Sequence, residues 1–112
     1  MGAKSRRKGC VGEREAAGEL SRLFGVSAHR GRQYHGGTES PDVVADIPGV
    51  HWEVKRVEKL SIYPAMHQAI ADAGLAVPVV LHRKNGRPWL AVVKLDDLPE
   101  LARILDTRTV AG

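Results

Sequence analysis

At 112 residues and 12.2 kDa the chain has room for one domain with one core and little beyond it. Its single cysteine, Cys10, excludes an intrachain disulfide and a cysteine-based zinc site, and no apolar stretch approaches the roughly 20 residues that span a bilayer. A net charge of +4 and a pI near 9.6 suit a polyanionic partner. With one thiol and no apolar signal-peptide segment behind the basic N-terminus, the expected compartment is a reducing cytoplasm.

Residues 1–9 carry Lys4, Arg6, Arg7 and Lys8 and are expected to form a flexible basic arm, either a disordered end or a phosphate contact, ahead of one domain over 10–112. Residues 11–24 read as an amphipathic helix stopped by Gly25, with an apolar stripe through Ala16/Ala17, Leu20 and Leu23/Phe24. Glu13 lies at the N-terminal end of that stripe, whereas Glu15, Glu19 and Arg22 are expected to point outward. An inward carboxylate needs a partner, and a metal-bound phosphate or Lys55 would serve.

Val26 to His29 reads as a short strand. It leads into a loop holding Arg30, Arg32, Tyr34 and Ser40 among three glycines. Such a loop either tracks a sugar-phosphate backbone, with Tyr34 stacking on a base, or is a plain surface connection.

Asp42 opens an apolar run, Val43 to Ala45, and Ile47-Pro48-Gly49 turns the chain into a second strand, Val50 to Val57. Side chains alternate along a strand, so His51, Glu53 and Lys55 share one face while Val50, Trp52 and Val54 share the other. One reading of Glu53 and Lys55 is a solvated hairpin face. The other is a metal site: Mg²⁺ takes hard oxygen ligands and keeps several waters, so two carboxylates, a backbone carbonyl and a phosphate suffice. Lys55 would then orient or deprotonate the attacking water, or neutralise charge at phosphorus.

Ile62 to Ala73 reads as a helix with Ser61 as N-cap and Gly74 as its stop; Ile62/Tyr63, Met66, Ala69/Ile70 and Ala73 are the expected inward residues. Gln68 sits about one residue off that stripe, at the edge of the site or simply exposed. Val77 to Arg83 and Pro88 to Leu95 read as a strand pair joined at Asn85-Gly86. His82, Arg83, Lys84 and Arg87 gather at the hairpin tip, for solubility or to grip a phosphate. Asp96 and Asp97 begin a last helix, Leu98 to Leu105, before a loose tail. This order of elements implies an α/β (α+β) fold with a central mixed sheet flanked by helices.

Pro41-Asp42, ten intervening residues and then Glu53-Val54-Lys55 resembles the signature of the PD-(D/E)xK nuclease superfamily. Lys8-Gly9 followed by Glu13-Arg14-Glu15 is similar to the opening of archaeal Holliday-junction resolvases. Over residues 8–95 the chain looks most like small resolvase-type endonucleases of phages and prophages. The resemblance implies a restriction-endonuclease-like core and a Mg²⁺-dependent endodeoxyribonuclease, with Mn²⁺ able to substitute. Asp42, Glu53 and the Val54 carbonyl would hold metal, Glu13 and Lys55 would complete the catalytic set, and Arg14 would contact phosphate. Ser40 is the only serine placed to serve as the contact before the aspartate. Arg30, Arg32, Tyr34 and Lys84 are further DNA-contact candidates. Branched DNA such as a four-way junction is the implied substrate, cut twice by a homodimer to leave 5′-phosphate and 3′-hydroxyl ends. The competing reading is a catalytically silent DNA-binding module on the same fold.

Overall fold

Helix α1 (Gly2–Phe24) opens the chain in the computed structural model, which describes residues 2–31 and 42–111, with side chains over 11–31 and 42–106. The basic segment at the start is therefore a continuation of α1 in its backbone rather than a separate arm. Three strands follow: β1 (Ala28–Arg30), β2 (Val43–Ala45) and β3 (Val50–Lys55). Helix α2 (Ile62–Ala73) crosses to β4 (Val77–His82), and β5 (Leu90–Val93) returns beside it. A 3-10 turn (Leu95–Asp97) leads into α3 (Leu98–Ala111), so the backbone expected as a loose tail is helical to Ala111.

The strands lie in chain order in one five-stranded sheet. Pairing is antiparallel except between β3 and β4, which run parallel from Val50↔Val77 to Lys55↔His82. A parallel neighbour needs a crossover, and α2 supplies it. The chain is thus α+β, with a mixed sheet flanked by helices.

Both faces of the sheet are covered. On one face Ala16, Ala17 and Leu20 of α1 pack with Val43, Ile47, Trp52, Val54, Val79 and Leu81, and Leu101 and Ile104 of α3 join them. On the other, Ala65, Met66 and Ala69 of α2 press on Val80. Val43, Ile47, Val79 and Val80 are the largest side chains fully withdrawn from water, each worth about 1.5–3 kcal/mol on burial.

Two expectations are corrected here. The His51/Glu53 face of β3 is not solvated, because α2 lies over it and both side chains are buried. Central strands with a parallel partner are covered on both sides. The inward stripe of α2 is Ala65, Met66 and Ala69, whereas Ile62, Tyr63 and Ile70 are exposed. Alanines let the helix approach the sheet closely, which turns the bulkier residues out.

Glycines mark the close approaches and turns. A Cβ on Gly12 would stand 2.5 Å from the Cβ of Arg56, so α1 crosses tightly over the end of β3. Gly25 and Gly74 end α1 and α2 at φ +64° and +61°, conformations that an L side chain rarely adopts.

Candidate active site

The polar groups converge where β2 begins and β3 ends. Asp42 precedes β2, and its backbone N–H donates to the Trp52 carbonyl at 3.2 Å. Its Oδ2 accepts from the Val54 N–H at 2.8 Å, which ties the carboxylate to β3. The Lys55 carbonyl accepts from Arg83 N on the β4 side. Carbonyls alternate in direction along a strand, so that of Val54 is directed to the Asp42 side.

Glu53 is 3 % exposed. Its Oε1 lies 3.1 Å from His51 Nε2 and its Oε2 3.9 Å from Lys55 Nζ. Lys55 Nζ also donates to Gln68 Oε1 at 3.0 Å, so the exposed α2 glutamine does reach the edge of the site. A shallow pocket of about 230 Å³ opens here, lined in part by Lys55, Lys59, Ser61 and Gln68.

The Asp42 carboxyl is pushed up to about 6. Burial is the main cause, the charges of Glu53 and Glu13 add to it, and the Val54 N–H and Lys55 work against it. Asp42 therefore feels the charges of Glu53, Glu13 and Lys55 at one end of the sheet.

Glu13 differs from expectation in its partner. Its Oε1 accepts from Arg30 Nε at 2.7 Å, because β1 runs alongside α1, so Arg30 neutralises it in place of Lys55. Arg30, expected as a DNA contact, thus spends part of its donor capacity within the protein. Glu15 was expected outward, but it accepts from Arg56 Nε at 3.3 Å and Arg83 Nη1 at 3.1 Å. Arg56 reaches on to Asn85 Oδ1 at 2.9 Å, and the Asn85 N–H donates to Glu58 at 2.9 Å. This clasp ties α1 and the end of β3 to the β4–β5 turn, and brings Lys84, exposed in that turn, to the same end of the molecule.

Arg14 is exposed and lines an open groove of about 770 Å³ with Arg22, Arg83, Arg87 and Trp89. None of Asp42, Glu53 and Lys55 lines this groove. Arg32, Tyr34 and Ser40 lie outside the described residues.

Among the described residues, the three-member His/carboxylate group whose ligand atoms all lie within 4.8 Å of one another is His51, Glu53 and Asp72. Glu13, Asp42 and Glu53 do not meet that separation together. Sequence reasoning assigned no role to His51 or Asp72. The same-face position of His51, two residues before Glu53, was the available signal; nothing local points to Asp72.

No helix among the described residues is long and apolar enough to cross a membrane. No family model, no curated protein and no solved structure matches this chain.

Proposed function

We propose that the chain is a divalent-metal-dependent endodeoxyribonuclease with a restriction-endonuclease-like core, acting on branched DNA. The observation that carries this reading is the convergence of Asp42 and Glu53 with Lys55 at the point where β2 and β3 part. There Asp42 is pushed up to about 6 by burial and neighbouring carboxylates. Repulsion between converging carboxylates is what a divalent cation relieves.

The donor set fits a hard cation. Asp42, Glu53 and the Val54 carbonyl offer only oxygen and would hold Mg²⁺ or Mn²⁺, with water and phosphate as the remaining oxygen donors. When bound, the ion supplies Lewis-acid stabilisation of the charge that builds on the scissile phosphate. Lys55 Nζ, held by Gln68, orients the attacking water opposite the leaving 3′ oxygen. Arg14 and Lys84 contact flanking phosphates. Two opposed cuts in a four-way junction require two such sites, hence a homodimer.

The test is cleavage of supercoiled, flapped and four-way DNA with Mg²⁺, Mn²⁺ or EDTA, by the wild type and by Asp42→Asn and Lys55→Ala. Metal-dependent cutting lost in both variants supports the proposal. Salt-sensitive DNA binding without cutting of any substrate would instead establish a silent binding module.

A further inference from the structure

Glu53 is held from behind. His51 leaves the same face of β3 two residues earlier, and α2 closes over both; their exposures are 4 % and 3 %. The His51 Nε2 to Glu53 Oε1 separation of 3.1 Å is a hydrogen bond. Where Glu53 is a carboxylate it only accepts, and Nε2 is then the donor. Asp72, near the end of α2, brings a carboxylate oxygen within 4.8 Å of the ligand atoms of both residues. The second Glu53 oxygen, Oε2, is turned toward Lys55 Nζ at 3.9 Å.

One carboxylate therefore bridges two environments. Oε1 is committed to a buried donor, and Oε2 faces the end of the strand where Lys55 stands. The terminal torsion of a glutamate is soft, so an unanchored Glu53 would swing its oxygens freely.

We infer that His51 is a positioning residue for Glu53: its Nε2–H fixes the carboxylate plane so that Oε2 is presented at the end of the strand where Lys55 stands. The inference rests on the reading of Asp42 and Glu53 as a cation site and deepens it. The alternative, that His51, Glu53 and Asp72 are themselves ligands, requires the 3.1 Å hydrogen bond to be broken and its hydrogen lost. Partners that hold a metal ligand in place typically change metal affinity by about 10–100-fold when removed.

The experiment measures Mn²⁺ affinity without DNA, from the electron paramagnetic resonance of the free ion, for the wild type, Asp42→Asn, His51→Leu and His51→Gln. The expected result is that Asp42→Asn and His51→Leu both weaken binding, the latter by about 10–100-fold. His51→Gln, whose amide N–H can still donate to Oε1, restores most of the affinity. Recovery by glutamine separates positioning from mere filling of space. Should His51→Leu fail to fold, long-range ¹H–¹⁵N spectra of the wild type decide. A hydrogen on Nε2 that persists when Mg²⁺ saturates the protein supports positioning. Its loss on metal addition makes His51 a ligand and overturns the inference. Wild-type affinity in His51→Leu, with binding still dependent on Asp42, refutes positioning alone. If the wild type binds no Mn²⁺, or Asp42→Asn leaves binding unchanged, the cation site falls and the inference falls with it.

Discussion

The raised Asp42 carboxyl makes a signed prediction about stability. An acid whose folded value is moved from 3.8 to about 6 keeps its proton to higher pH when folded than when unfolded. Its contribution is then most favourable below the unfolded value, and it is lost as pH rises through the window up to about 6. At about 1.4 kcal/mol per unit, the shift corresponds to a ceiling near 3 kcal/mol, of which about 2 kcal/mol falls between about pH 4.5 and pH 7.5. Water on the exposed side of the part-buried group eases the burial penalty as well as screening the neighbouring charges, and reduces this to about 1 kcal/mol. Other groups titrate in the same range, so the quantity to measure is a difference. In EDTA, urea unfolding of the wild type and Asp42→Asn at the two pH values should show the wild type losing about 1 kcal/mol more than the variant on going to the higher pH. Saturating Mg²⁺ at the higher pH should restore the wild type and leave Asp42→Asn unmoved. Parallel pH profiles for the two proteins in EDTA would refute the reasoning.

Lys55→Ala should lower single-turnover DNA cleavage by about 10²–10⁴-fold. Gln68→Ala should lower it less, since Glu53 remains beside the ammonium; equal losses would place Gln68 in direct contact with substrate. Gly12→Ala should cost about 1–3 kcal/mol in urea unfolding, because the new methyl meets Arg56 Cβ at 2.5 Å. An unchanged midpoint would show that α1 does not cross β3 so closely. Arg14→Ala and Lys84→Ala should each weaken DNA binding and flatten the plot of log affinity against log salt by about 0.9. A slope that does not move would remove that residue from the phosphate contacts.

Much of the architecture was legible because local chemistry marked it. The Gly25 and Gly74 stops, the Asn85-Gly86 turn and the apolar run from Val77 each act within a few residues of themselves. The approach of Asp42 to Glu53 was legible for the same reason, since a short turn joins their strands and fixes their register. What was hidden depends on distant neighbours. The alternation His51-Trp52-Glu53-Val54 suggested one wet face, and only the crossover helix buries it. Ile62, Tyr63 and Ile70 outrank Ala65 in hydrophobicity, yet alanine won because closeness to Val80 mattered more than side-chain bulk. The ion pairs Glu13–Arg30, Glu15–Arg56 and Glu15–Arg83 join residues 17, 41 and 68 positions apart, beyond any local pattern.

The Glu15 clasp has a consequence for any polyanion that approaches this end of the molecule. One carboxylate already occupies guanidinium donors of both Arg56 and Arg83, and because it is tethered its effective concentration is high and constant. An arriving phosphate must compete with this resident anion, so nominal positive charge overstates the grip available here. Replacing Glu15 with glutamine would remove the charge that Arg56 and Arg83 share, leaving Arg56 on Asn85 and Arg83 on the Arg87 carbonyl, and would loosen the seam between α1 and the β4–β5 turn, trading rigidity for attraction.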